Sequence, residues 1–244
     1  SGNTVNMGGN AGVSFVVGND SAADEITINA DGITGVVDDV SGFETINLTG
    51  NDAGATALNI TVDPSTGNDT SISWVSSEND ITLDLTGGDQ GGSYAVNVAS
   101  TGSVGVGTTS ILAGSGTNTG VDYTVNGSGA ITGALIFTSS DAAMDIEINS
   151  LANDVTLTSV DMNDVGSGTD ADNDVASSLV VDADGAAEIT TLLNLDVAND
   201  SLVSVTGGTT VIVGDIANAT GSVDITLTAT ANDVTGGDLT AGGG

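Results

Sequence analysis

Apolar and polar residues alternate in short runs along the chain. Ile26-Thr27-Ile28-Asn29, Thr45-Ile46-Asn47-Leu48-Thr49 and Leu58-Asn59-Ile60-Thr61-Val62 set the pattern. It returns at Ile81–Leu85, Ala95–Val98, Asp145–Ile148, Val155–Thr158, Leu192–Val197 and Ile225–Thr228. A period of two places successive side chains on opposite faces, the mark of a half-buried strand. The apolar members are largely β-branched, which suits a pleated surface. Between the runs lie turn clusters such as Gly50-Asn51-Asp52, Gly67-Asn68-Asp69, Gly87-Gly88-Asp89 and Gly207-Gly208-Thr209. Asn and Asp bond their own backbone there, and Gly takes positive φ without a Cβ clash. One stretch, Ala186–Leu193, has the length for a short helix, but its pair Thr190-Thr191 argues against one. The pattern therefore predicts an all-β chain.

Strands starting every 10 to 14 residues or so are the spacing of a sandwich, a barrel or a solenoid. Aromatic residues are only 2% of the chain: Trp74, two Tyr and three Phe. Large rings usually centre a sandwich, whereas small turns and Thr/Val ladders suit stacked coils. The expected fold is a parallel β-solenoid, β-helix-like, with short alternating strands and Gly/Asn/Asp turns; a pair of β-sandwich domains is the alternative. Residues 1–244 read as one elongated β domain. The acid-poor, Gly/Ser/Thr-rich segment 99–133 is where a boundary would fall, although Val104, Val106, Ile111 and Leu112 continue the apolar pattern.

Composition narrows the chemistry sharply. The chain has 244 residues, 33 of them Asp or Glu, with no Lys, Arg, His or Cys, for a formal net charge of −33. Ser-His-Asp and Cys nucleophile machinery is thereby excluded, as are ordinary zinc, haem and iron–sulfur sites. Schiff bases, P-loop lysines and arginine fingers are excluded too. Nucleic acid and anionic membrane surfaces lack the cations they need. No Asp-Thr-Gly or Asp-Ser-Gly string occurs, and sugar platforms are scarce, so carboxylate-based hydrolysis is not expected and the chain reads as a non-enzyme. No apolar run reaches the ~18 residues of a membrane span, so no membrane insertion is expected. No secretory signal is visible, and the expectation is a processed chain or one exported without an N-terminal signal. The absence of Cys fits large surface proteins stabilised by metals rather than disulfides. Seven Asn-X-Ser/Thr strings, at Asn19, Asn47, Asn59, Asn68, Asn126, Asn199 and Asn218, read as chance in a chain rich in Asn and Thr.

Carboxylates and amide oxygens are the strong ligands that remain, and hard cations such as calcium take them. Asp170, Asp172 and Asp174 stand at alternate positions, as in a calcium loop. An EF-hand is excluded, because position six is Val175 and position twelve is Val181. Asp182, Asp184 and Glu188 form a second dense cluster, and Asp161 with Asp164 a weaker one. Solvated strand-capping turns are the plain alternative for each cluster. Calcium is the expected cofactor, since so much unneutralised charge repels itself.

The run Val40-Ser41-Gly42-Phe43-Glu44-Thr45-Ile46-Asn47-Leu48-Thr49-Gly50, continued by Leu58-Asn59-Ile60-Thr61-Val62-Asp63, resembles a recurring line in bacterial surface-layer proteins and RTX-type calcium-binding surface proteins. The likeness covers about residues 25 to 100. It implies a calcium-dependent β-solenoid that assembles outside the cell. Gly-Asn-Asp occurs singly at 18–20, 50–52 and 67–69, never in a nine-residue array, so Asp52 and Asp69 enter as candidate ligands without a β-roll frame. The functional expectation is a secreted structural subunit that self-assembles into an extracellular layer or filament, a homopolymer at the cell surface stabilised by calcium. Residues 1–12 are expected to add as a strand to a neighbouring copy. The alternative is a ligand-binding section of an RTX-type adhesin, directed at a cell-surface glycan or at ice.

Overall fold

The structure, a computed structural model, describes residues 3–6, 12–13, 16–17, 24–29, 34–49, 56–63, 69–76, 80–88, 92–113, 120–139, 143–164, 176–196, 201–220 and 223–241. Within these the chain is all strand and turn. The first strands are β1 (Asn3–Asn6), β2 (Gly12–Val13), β3 (Val16–Val17), β4 (Glu25–Asn29), β5 (Thr34–Ser41), β6 (Thr45–Thr49) and β7 (Thr56–Asp63). Next come β8 (Thr70–Ser76), β9 (Ile81–Gly87), β10 (Tyr94–Ser100), β11 (Val104–Leu112), β12 (Val121–Gly127), β13 (Ile131–Ser139) and β14 (Met144–Ser150). The series ends with β15 (Val155–Asp164), β16 (Ser178–Ala183), β17 (Ala187–Asp196), β18 (Ser201–Gly207), β19 (Val211–Thr220), β20 (Val223–Ala229), β21 (Val234–Gly236) and β22 (Leu239–Ala241).

Successive strands alternate between two sheets. One runs β1-β4-β6-β8-β10-β12-β14-β16-β18-β20 and the other β2-β5-β7-β9-β11-β13-β15-β17-β19-β21, with β3 also on β5 and β22 also on β19. Each strand pairs in parallel with the strand one coil away, as β10 does with both β8 and β12. That is a parallel β-solenoid. The described strands of the segment 99–133 continue the two sheets, β10 pairing with β12 and β11 with β13. Residues 187–193 of the run 186–193 are in β17, where Thr190 and its neighbours extend rather than coil. Asn3–Asn6 pairs with β4 of its own chain.

Inward positions stack in columns. Val5, Ile28, Leu48, Trp74, Val98, Val125, Ile148, Val181, Val205 and Leu227 lie one above another in the first sheet. From Ile28 to Val205 every member is at most 2% exposed. A fully buried Val, Leu or Ile contributes about 1.5–3 kcal/mol relative to exposure, so columns like this one contribute heavily to stability. A second column of small residues, Ser76, Ser100, Gly127, Ser150, Ala183 and Gly207, closes the C-terminal ends of these strands, where the chain must turn toward the other sheet. The larger rings sit inside the coil: Tyr123 and Phe137, from opposite sheets, meet at 5.2 Å between centroids with planes tilted by 53°.

The second sheet is less regular. Its register shifts between Gly105 and Gly107 in β11, and between Gly133 and Ala134 in β13. Gly107 has φ +56° and Gly133 φ +148°, conformations that L side chains avoid. Such bulges insert an extra residue and re-aim the strand, and Gly is what the backbone accepts there.

Candidate functional site

Protein cations are lacking, so each carboxylate must find an N–H, a hydroxyl, an amide or an external cation. At the strand starts many find an N–H one coil away. Glu44, just before β6, accepts the Asp24 N–H on Oε2 at 2.7 Å. Asp69, just before β8, accepts the Ser93 N–H at 3.0 Å. In the second sheet Asp80 accepts from Ser103 N–H at 2.7 Å and Asp154 from Ala186 N–H at 2.7 Å. Asp215, within β19, accepts from Asp238 N–H at 2.9 Å. Hydroxyls do the same work where the acid is absent: Ser93 Oγ accepts from Gly120 N–H, Ser177 Oγ from Met144 N–H and Ser201 Oγ from Ser177 N–H. The residue before a strand thus ties its coil to the next. Such charge-assisted bonds to backbone N–H groups are among the stronger hydrogen bonds.

The candidate ligands read from sequence fall in different places. Asp52, Asp170, Asp172 and Asp174 lie outside the described residues. The last three belong to run 165–177, which joins β15 to β16 and accounts for a spacing of 33 residues between the hydrogen-bonded pair Asp145 and Ser178. Asp164 ends β15, and Asp161 is half-buried within the same strand. Asp69 is one of the corner acceptors just described. Asp182 is exposed at the end of β16, Asp184 is exposed in the turn that follows, and Glu188 is half-buried in β17. The structure brings Asp182 and Asp184 together with Glu147 and Asn149 around one shallow depression of about 400 Å3. Glu188 is not part of it. Glu147 also accepts from Asn149 Nδ2 at 2.7 Å. Among the described residues no three acidic side chains converge closely enough to hold a metal ion.

The larger concavity was not legible as a cluster in the sequence. It is a groove of about 490 Å3 at the N-terminal ends of β6, β8, β10, β12 and β14. Glu44, Asp69, Asp122 and Asp145 bring four carboxylates to it, and Ala95 and Ala143 contribute apolar surface, while the side chains of Tyr94 and Val121 behind it are buried in the coil. Asp122 and Asp145 are direct register partners in adjacent strands. Each is the second residue of an alternating run, Val121-Asp122-Tyr123 and Met144-Asp145-Ile146, and aligning those runs was the signal available. Asp145 Oδ1 accepts from Ser178 Oγ at 2.8 Å.

Inside the coil, one polar group stands out. Tyr123 is fully buried; its hydroxyl lies 3.5 Å from Thr109 Oγ1, which donates to the Val106 carbonyl at 2.7 Å. Burial pushes the phenol well above its ordinary pKa, and the Thr109 contact lowers it only in part. Among the described residues, three further buried polar atoms have no hydrogen-bond partner: Thr70 Oγ1, Trp74 Nε1 and Ser76 Oγ, all on inward positions of β8.

No helix among the described residues is long and apolar enough to cross a membrane. Comparison of the chain with protein-family models, curated proteins and solved structures gives no match.

Proposed function

We propose that this chain is a structural section of a secreted, self-assembling extracellular layer or filament, stabilised by calcium. The observation that supports this most is the use to which its polar side chains are put. Carboxylates and hydroxyls at successive strand starts bond the backbone of the next coil, so they serve continuity along one axis. A solenoid of this kind is quasi-one-dimensional, each coil resting on its neighbours. Calcium enters through the net charge of −33 and through Asp170, Asp172 and Asp174, a donor set of the right hardness. The described acids supply isolated or paired oxygens, so calcium at those positions would bridge neighbouring carboxylates rather than occupy a closed cage.

A second reading, an adhesin section, is favoured by the outer face of the first sheet. Thr4, Thr27, Asn47, Ser73, Asn97 and Thr124 form one outward column of small polar residues across six strands. Such a column presents hydroxyls and amides at the ~4.8 Å strand spacing. Electron microscopy and thermal melting with calcium, and again with EDTA, separate the readings. Sheets or fibres that form with calcium, and a melting temperature raised by it, support the subunit. Isolated rods support the adhesin, and a melting temperature indifferent to EDTA removes calcium. Ligand binding only to the native state adds RT ln(1 + [L]/Kd), about 2.7 kcal/mol per site at a hundredfold excess.

A further inference from the structure

We propose that the last coil, β20 with β21 and β22, is the docking face for the first coil, β1 to β3, of a second copy of this chain, stacked head to tail. The proposal rests on the self-assembling reading above and names the joint that carries it. Three observations point there. The first is open core. Val5 in β1 and Val223, Ile225, Leu227 and Ala229 in β20 are only half-buried against the core. One coil earlier Val203 and Val205, the register partners of Ile225 and Leu227, are buried. Val211 and Ile216 are likewise buried, whereas their partners Val234 and Leu239 in the last coil are 45% and 67% exposed. The inward columns lose their cover at this end, and apolar surface left in water favours burial.

The second observation is the free backbone edge. Among the described residues β1 pairs on one side only, with β4, and β20 on one side only, with β18. Elsewhere inward residues donate forward, as Tyr94 N–H does to the Gly120 carbonyl and Val121 N–H to that of Ala143. Outward residues donate backward, as Ser71 N–H does to the Glu44 carbonyl and Leu202 N–H to that of Ser177. By the same rule the Leu227 N–H points off the end of β20, and the Thr4 and Asn6 N–H groups point off the start of β1. Continuing the column that holds Val5 and Leu227 sets Leu227 of one copy beside Val5 of the next. Leu227 N–H then reaches the Thr4 carbonyl, Thr4 N–H that of Ile225, and Asn6 N–H that of Leu227. This is the parallel pairing already made between coils, formed by strand addition. Neither strand carries the Lys or Pro that guards an edge.

The third observation is charge. Two copies of net charge −33 repel, so they meet best where one of them is uncharged. β1, β2 and β3 have no acidic residue, and the first acid in the chain is Asp20. Asp224, Asp233 and Asp238, exposed on the last coil, therefore face no like charge in the strands that dock. In the outward columns Thr226 meets Thr4, and Thr228 meets Asn6. The two ends differ, so the joint is heterologous and repeats without closing.

The test is sedimentation velocity of the full chain with EDTA in about 1 M NaCl, where the Debye length is about 3 Å and the repulsion between copies is screened. Two variants block opposite ends. Thr4→Pro sets a ring on the outer edge of β1 and removes an N–H that β4 does not use. Leu227→Asp puts a carboxylate into the apolar column of β20. Circular dichroism and Trp74 emission check that both keep the fold; should Leu227→Asp loosen the last coil, Thr4→Pro blocks the same joint alone. Wild type should grow with concentration into linear chains. Each variant alone should lose that growth and sediment as a monomer. Their equimolar mixture should stop at a dimer, since one open tail and one open head remain. Variants that assemble as wild type does, or a mixture without dimer, overturn the joint and leave the self-assembling reading standing. A wild type monomeric in this salt means that the open end takes strands of another protein, and overturns the joint as well. Calcium added to that monomer then decides the wider reading: assembly keeps it, and none ends both.

Discussion

Above pH 9 this protein has almost nothing left to titrate, and that makes one buried phenol measurable. Lys, Arg, His and Cys are absent. The carboxylates are already ionised, and an α-amino group has lost its proton by about pH 9. The alkaline change in folding free energy therefore reports Tyr94 and Tyr123. Tyr123 is fully buried against Phe137 and Thr109, and burial raises its pKa in the folded state. The sign follows from proton counting. Above the unfolded phenol value of about 10, the unfolded chain has released the proton while the native chain still holds it, so stability is complete below that pH and falls as pH rises. The slope approaches about 1.4 kcal/mol per pH unit for one such group, and integrates to about 2.3 kcal/mol between pH 10 and pH 12 because the unfolded phenol is only half ionised at pH 10. Replacing Tyr123 with Phe removes this component and one weak 3.5 Å hydroxyl contact. Urea unfolding followed by Trp74, the single tryptophan and fully buried, measures it. The stability of wild type relative to Tyr123→Phe should fall by about 2.3 kcal/mol between pH 10 and 12. Parallel stability curves for the two proteins over that range would refute the burial argument, as would tyrosinate absorbance appearing in the native wild type near pH 10.

Three further outcomes follow from the packing. Gly133→Ala should destabilise by about 1–3 kcal/mol in urea unfolding, because its φ of +148° disfavours an L side chain and the new Cβ would collide with Val106 Cγ2 and the Gly107 carbonyl. Asp154→Ala should cost about 1–2 kcal/mol by removing the acceptor of the Ala186 N–H and local hydrogen exchange at Ala186 should quicken, whereas Asp224→Ala, on an exposed strand face, should change stability by less than about 0.5 kcal/mol. Ser76→Ala should be neutral or stabilising by up to about 1 kcal/mol in the same assay, since it deletes a buried hydroxyl without a partner at a position where Ala183 already serves the same column.

What the sequence made legible is what has a short period. Thr45–Thr49 is β6 to the residue, and the run from Ile81 opens β9, because strict alternation of Ile or Leu with Thr, Asn or Asp can satisfy only a strand with one dry face. Parallel stacking was legible more indirectly, through the scarcity of rings and the abundance of small turns. The bulges at Gly105/Gly107 and Gly133/Ala134 were not legible, since each glycine also reads as an ordinary turn or a gap in the apolar pattern. The partners of the carboxylates were hidden for a different reason. The chain distance between bonded positions one coil apart ranges from 20, for Asp24 and Glu44, to 33, for Asp145 and Ser178. With no fixed period, no sequence repeat announces which acid meets which amide.

The position of an acid relative to its strand decides what it can bond. A carboxylate at the residue before a strand meets an N–H of the adjoining coil, as Asp69, Asp80 and Asp154 do, and is consumed in holding two coils together. A carboxylate one position inside the strand, on the outward face, meets the side chain of the register partner instead. A neutral side chain diagonally across can close such a carboxylate too, as the Nδ2 of Asn47 in β6 does for Glu25, the first residue of β4, at 2.7 Å. Where both partners are Asp, as at Asp122 and Asp145, neither can close the pair; Asp145 takes the Ser178 hydroxyl on its other side, and both charges remain. Replacing Asp122 alone with Asn would create such a neutral partner, so the single variant should be more stable than wild type in the absence of added cations by about 0.2–1 kcal/mol. Added salt should narrow that difference, since screening relieves the repulsion in wild type only. A single variant no more stable than wild type would mean that solvent already screens the two carboxylates from each other, and that the pair contributes no drive toward a cation.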